Sequence, residues 1–154
     1  YTDELTKIYN RRYCIEYMER IKESEKLAYT VICFDLNNLK TVNDTYGHSK
    51  GDILIKSAAE VIAQSFQEKG IVARMGGDEF IAILETAEEK EVDRLVERFE
   101  ENIKKMNREK EGLDMSIAYG YASCDAGKYQ IEKVYQMADD RMYENKKRMK
   151  SGGR

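Results

Sequence analysis

Residues 74–80 read Arg74-Met75-Gly76-Gly77-Asp78-Glu79-Phe80 and sit between two short apolar runs, 71–73 and 81–84. Two β-like runs joined by paired glycines predict a hairpin, because a tight reversal needs residues that accept positive φ. The reversal accounts for Gly76 and Gly77 but not for the acids beside them, since aspartate is a poor strand former. A second acid, Asp35, closes another apolar run, 29–34. If these runs are neighbours in one sheet, Asp35 and Asp78 face each other, and carboxylates at close range ordinarily need a cation between them. The arrangement points to Mg²⁺ and, through it, to phosphates.

Outward from the hairpin, the periodicities give the remaining elements. Asn10 is placed to cap a helix in which Tyr13, Tyr17, Met18 and Ile21 recur at helical spacing to about Lys26. Residues 28–35 are apolar enough for a central strand. Leu39, Val42 and Tyr46 share a face of a short helix ended by Gly47. Gly51 and Asp52 open a longer helix carrying Ile53, Leu54, Ala58, Val61, Ile62 and Phe66, stopped by Gly70. Residues 88 to about 110 form the clearest amphipathic helix, with Val92, Leu95, Val96, Phe99, Ile103 and Met106 inward and a solvated charged face. Residues 115–122 read as a strand, 123–129 as a loop, and 131 to about 150 as a last helix with Val134, Tyr135, Ala138 and Met142 inward. The order α-β-α-α-β-β-α-β-α contains a βαββαβ core and predicts an α/β (α+β) fold, a mixed sheet with helices packed on it.

A chain of 154 residues, 42% of them apolar, fits one domain with one core. No proline, repeat or linker divides it, and no apolar run approaches the roughly 18 residues of a membrane span, so no membrane contact is expected of this domain. It begins at Tyr1 without a signal-like segment. It is therefore read as the C-terminal part of a longer signalling protein, whose parent is free to carry a membrane anchor. Cys14, Cys33 and Cys124 are odd in number, have no C-x-x-C spacing, and fit a reducing, cytoplasmic setting. A net charge of −3 argues against a nucleic-acid partner.

The run 75–80, Met-Gly-Gly-Asp-Glu-Phe, resembles the signature of the GGDEF family, the diguanylate cyclases, and the likeness continues nearly end to end. Residues 3–6, Asp-Glu-Leu-Thr, with Asn10, Arg11 and Arg12, resemble the family's opening motif, with Lys7 where glycine is usual. Residues 34–52, Phe-Asp-Leu-Asn-Asn-Leu-Lys-Thr-Val-Asn-Asp-Thr-Tyr-Gly-His-Ser-Lys-Gly-Asp, resemble its long nucleotide-binding motif. Ala138, Asp139, Met142, Tyr143 and Lys146 resemble its closing helix. A pentapeptide arises by chance; three motifs in order and at the right spacing do not.

The resemblance implies a palm-like domain of the nucleotidyl-cyclase kind, with a central sheet of about five strands, spanning residues 1–154. It implies the condensation of two GTP into cyclic di-GMP with release of two pyrophosphates, across a homodimer in which each domain holds one GTP. Two Mg²⁺ or Mn²⁺ ions per active site accompany that chemistry. By matching position, Asp35 and Asp78 are the metal carboxylates and the backbone carbonyl of Leu36 a further ligand. Asn43 and Asp52 match the guanine readers, a carboxylate being a natural double acceptor for the N1 and N2 donors. Lys146 and Lys150 match the triphosphate contacts, with the amides near Asn38 and Leu39 as further donors and Lys40 as a candidate for charge stabilisation. Glu79 matches a position that orients a cation or helps deprotonate the 3′-hydroxyl. Asn37 stands for a common second aspartate, Leu39 for phenylalanine, and Lys150 for the arginine of many relatives.

Without the resemblance, Asn43 is equally a mid-helix polar residue and Asp52 a helix N-terminal acid favoured by the dipole. His48, at a Gly-His turn, is read as a structural hydrogen-bonding residue. Relatives inhibited by their product carry an Arg-x-x-Asp motif before the signature; Gln67 and Gly70 hold those places here. A catalytically silent GGDEF module that binds GTP or a partner to regulate an adjacent domain is the alternative reading. An interaction module using the basic tail rests on the last nine residues alone.

Overall fold

The computed structural model describes residues 1–24, 27–125, 127 and 129–152. The elements follow the predicted order: α1 (Arg11–Glu23), β1 (Tyr29–Leu36), α2 (Leu39–Tyr46), α3 (His48–Phe66), β2 (Gly70–Arg74), β3 (Glu79–Leu84), α4 (Glu89–Glu109), β4 (Ile117–Cys124) and α5 (Ile131–Ser151), with a 3-10 turn at Gln67–Lys69. The predicted end of the first helix at Lys26 lies outside the described residues, as do Ala126 and Lys128 of the predicted loop.

Among the described residues the sheet has four strands, in the order β2-β3-β1-β4, where about five were expected. Nor is it mixed: β1 pairs antiparallel with both β3 and β4, and β2 with β3. Each β-α-β crossover skips one place in the sheet, so the strand on either side of β1 runs against it. The only parallel contact among the described residues is an isolated bridge from Tyr9 to Ala73. β4 extends two residues beyond its predicted end, because Ser123 and Cys124 pair with Thr30 and Tyr29 and the Ser123 and Thr30 hydroxyls share a hydrogen bond of 2.7 Å.

All eight residues of β1 are buried, as a central strand covered on both faces must be. Alternation divides them. Ile32, Phe34 and Leu36 face α3 and α4, where Phe34, Phe66 and Phe99 pack with ring centroids 5.2 to 5.7 Å apart. Val31 and Cys33 face α1 and α5 with Cys14, Ile21, Val134, Ala138 and Met142. All three cysteines are buried and free, and burial pushes the Cys14 thiol up to about 12. Asn10 caps α1 as predicted, its Oδ1 accepting from the Tyr13 amide at 3.0 Å. Tyr46 and Ile53, expected inward, are exposed, because α2 and α3 turn those positions away from the sheet. α3 starts at His48 rather than at Gly51: Gly47, at φ +89°, turns the chain in one residue and ends α2 as it opens α3. No helix among the described residues is long and apolar enough to cross a membrane.

Candidate active site

β1 and β3 deliver the acids to one end of the sheet. Asp35 lies directly opposite Glu79 in the β1–β3 register, and the Leu36 amide donates to the Asp78 carbonyl at 2.8 Å, which fixes the hairpin tip against the end of β1. The Asp35 carboxyl is buried, with 9% of the residue accessible. Its Oδ2 accepts from Nζ of Lys146 on α5, and its Oδ1 is buried without a hydrogen-bond partner among the described residues. Burial holds the Asp35 carboxyl above the usual carboxylate range, and the neighbouring Asp78 charge adds to that while Lys146 opposes it. Asp78 is half-buried and Glu79 exposed at the tip.

The residue facing Asp35 across the ladder is therefore Glu79 rather than the expected Asp78, which lies one step further on at the hairpin tip, close enough for its charge to act on Asp35. An orphaned carboxylate oxygen beside a second carboxylate is a donor set suited to a hard divalent cation. No group of three or more His, Cys, Asp or Glu able to hold a metal occurs among the described residues. Further oxygens would have to come from backbone, such as the Leu36 carbonyl, from water or from phosphate, which is the usual pattern for Mg²⁺.

Arg74 holds the hairpin tip and was not anticipated from the sequence. Its Nε donates to the Gly76 carbonyl at 3.1 Å and its Nη2 to the Gly77 carbonyl at 3.0 Å. Nη1 pairs at 3.3 Å with Asp3, which in turn accepts from the Thr6 amide and hydroxyl. Positions 3 and 74 meet only because the first ten residues fold back along β2, with the Arg74 amide donating to the Tyr9 carbonyl at 2.9 Å. No local signal in one sequence links residues so far apart.

The other predicted residues divide into two groups. Asn43 on α2 packs against Gly51 on α3, one residue before the exposed Asp52, and Asn43 Oδ1 is buried without a partner among the described residues. The two candidate base readers thus belong to the elbow around Gly47. Asn38 adopts a left-handed φ of +67° at the start of α2, leaving Leu39 as its first helical residue. Lys146 is at Asp35, with Lys150 exposed one turn further along α5. Lys40 is not gathered in: its ammonium pairs with Asp44 at 2.8 Å, on a side chain 90% exposed. His48 is exposed as the first residue of α3, and the structural hydrogen bond expected of its side chain is not found among the described residues. Asn37, in place of an acid, donates from Nδ2 to the Ser116 hydroxyl at 3.0 Å and to the Met149 sulfur at 3.4 Å, tying the end of β1 to β4 and α5.

Comparison with known proteins identifies the family and the fold. The family described as "Diguanylate cyclase, GGDEF domain" matches residues 1–152. The chain is 30% identical over 149 residues to a probable diguanylate cyclase, DgcT, of Escherichia coli, covering 94% of this chain and 33% of that protein. It is 34% identical over 155 residues to the signaling protein YkoW of Bacillus subtilis, covering 97% of this chain and 19% of that protein. The chain thus spans a third or less of the length of these relatives. Among solved structures it superimposes with a TM-score of 0.77 at 27% identity on a microbial GGDEF domain whose interaction with cyclic di-GMP was described, over 94% of this chain and 92% of the other. It also matches the GGDEF domain of DgcB from Caulobacter crescentus in complex with cyclic di-GMP, at a TM-score of 0.81 and 25% identity, over 95% and 90% of the two chains.

Proposed function

This chain belongs to the GGDEF domain family of the diguanylate cyclases, and from that premise we propose that it condenses two GTP into cyclic di-GMP and two pyrophosphates. The observation that carries the reading is the buried, half-satisfied Asp35 carboxylate beside Asp78 at the end of the sheet. A structural aspartate would have both oxygens satisfied or exposed.

In this reading Asp35 and Asp78, with the Leu36 carbonyl, hold Mg²⁺ or Mn²⁺, two ions per active site. Bound there, the ions supply charge stabilisation for the attacking alkoxide and the leaving pyrophosphate. Asn43 and Asp52 bind the guanine edge. Lys146, released from Asp35, and Lys150 one turn later neutralise the triphosphate, with the Asn38 and Leu39 amides as neutral donors. The 3′-oxygen of one GTP forms a bond to the α-phosphorus of the other, the bond to the β-phosphate breaks, and the 3′-proton passes to a base, for which Glu79 is the candidate. A second such transfer closes the ring. Lys40, paired with Asp44, has to leave that partner to take part. Because each domain holds one GTP, a second copy of the chain completes the site.

Incubation of the purified domain with GTP and Mg²⁺ or Mn²⁺, followed by chromatography for cyclic di-GMP, tests the reading. Specific activity is expected to rise steeply with protein concentration. A folded protein that binds GTP but forms no product at any concentration contradicts it and favours a silent regulatory module.

A further inference from the structure

Gly51 is the fourth residue of α3 and has no left-handed φ, so its backbone makes no demand for glycine. Within a helix glycine costs about 0.5–1 kcal/mol relative to alanine, so its place here calls for another reason. A Cβ at Gly51 would lie 1.8 Å from Asn43 Oδ1, 2.8 Å from Asn43 Cγ and 3.4 Å from Asn43 Nδ2. Its three nearest atoms all belong to the Asn43 amide, and none to the backbone of α2. The hollow left by the missing side chain is thus filled by a single amide group.

The orientation of that amide follows from what it meets. Oδ1 is buried with no hydrogen-bond partner among the described residues. Against the Gly51 Cα it faces C–H groups, which offer weak donors to an oxygen and nothing to an N–H. An under-satisfied carbonyl is tolerated more readily than an orphaned N–H. Oδ1 therefore turns inward and Nδ2 is the end that remains accessible.

We infer that Gly51 is a positioning residue for base selection: it seats Asn43 Oδ1 so that the Nδ2 donor faces outward beside Asp52. A donor there suits the carbonyl at position six of guanine and opposes the amino group of adenine. Asp52, an acceptor, suits the N1 and N2 donors of the same base. The inference rests on the proposed reading of Asn43 and Asp52 as guanine-binding residues.

The test uses 3′-deoxy-GTP and 3′-deoxy-ATP, which lack the attacking hydroxyl and are not condensed. In the ¹⁵N-labelled parent domain with Mg²⁺, the Asn43 side-chain amide signals are expected to shift on addition of 3′-deoxy-GTP and not of 3′-deoxy-ATP. By calorimetry Gly51→Ala should weaken 3′-deoxy-GTP binding by about tenfold, the equivalent of one lost hydrogen bond, and leave 3′-deoxy-ATP binding unchanged. In an Asn43→Ala background, where nothing remains to collide with, Gly51→Ala should have no further effect. If Asn43→Ala leaves the preference for the guanine nucleotide intact, the base assignment itself falls. If Asn43→Ala reduces that preference but Gly51→Ala weakens both nucleotides equally, or does so regardless of Asn43, the positioning role is overturned while the guanine reading stands. Should Gly51→Ala fail to fold, the amide signals of the parent decide, and their indifference to 3′-deoxy-GTP overturns the inference.

Discussion

Lys146 donates its ammonium to Asp35 Oδ2 while the other oxygen of the same carboxylate is buried with no hydrogen-bond partner among the described residues. One cationic side chain from α5 thus satisfies half of an acid at the end of β1, 111 residues away in sequence. Both side chains are largely covered, 25% and 12% accessible, so the pair is formed in a partly desolvated setting and is little screened. A cation that takes up the free oxygen must share Asp35 with Lys146 or displace it towards phosphate.

The Asp35 carboxyl sits above its usual range chiefly because of burial. A folded-state pKa above the unfolded value means that the neutral form favours the fold. That contribution is complete below about pH 3.9, the ordinary aspartate value, and is lost as pH rises through the folded-state value. In divalent-free buffer the parent is therefore expected to lose stability as pH rises through the Asp35 titration, and Asp35→Asn, permanently neutral, to lose that part of the pH dependence. The same substitution, like Asp78→Asn, should abolish cyclic di-GMP formation. Circular dichroism melts across pH, alongside a product assay, check both halves; an Asp35→Asn protein whose Tm follows pH as the parent's does would contradict the first.

Arg74 grips two carbonyls of the hairpin tip and the Asp3 carboxylate at once. Lysine keeps the charge but cannot reproduce the fork. Arg74→Lys should lower kcat by about tenfold to a hundredfold through displacement of Asp78 and Glu79, with a stability loss of only about 1 kcal/mol. Steady-state rates and urea denaturation on the same preparation separate the two effects, and unchanged kcat would remove Arg74 from the positioning of the tip.

Lys7 occupies a left-handed conformation at φ +66°, which explains why glycine is usual at the matching place in the family. A left-handed L-residue costs about 1–2 kcal/mol, and glycine returns part of that through its greater unfolded-state entropy. Lys7→Gly is expected to stabilise the domain by up to about 1 kcal/mol, with no change in GTP affinity. Paired denaturation curves measure it; a destabilised variant would mean that Lys7 makes a compensating contact.

Product feedback through the surface beside β2 is expected to be absent, since Gln67 and Gly70 supply neither an arginine fork nor an acidic acceptor. Restoring the acid is blocked as well: a Cβ at Gly70 would lie 1.9 Å from the Ile83 carbonyl, so Gly70→Asp forces β2 from β3. Such overpacking costs about 1–3 kcal/mol. Added cyclic di-GMP should inhibit only weakly, by competition at the active site. Calorimetry that finds tight cyclic di-GMP binding surviving both Asp35→Asn and Asp52→Ala would contradict this.

The sequence by itself determined the order of elements, the hairpin and the acids it carries, because these depend on local periodicity and turn chemistry that neighbouring residues encode. It also determined the family, since the motifs of residues 34–52, of the hairpin and of the last helix occur in order. The antiparallel four-strand sheet was not legible, because strand number and direction follow from how the crossovers pack and not from any one strand's pattern. Tyr46 and Ile53 kept helical spacing yet ended exposed, since helix periodicity marks a face without saying whether the sheet reaches it. Lys146 on Asp35, Arg74 on Asp3 and Asn43 seated on Gly51 were decided only by the tertiary structure. Each is a short-range contact, and the contacting residues come from different elements that only the folded chain brings within hydrogen-bonding or van der Waals reach.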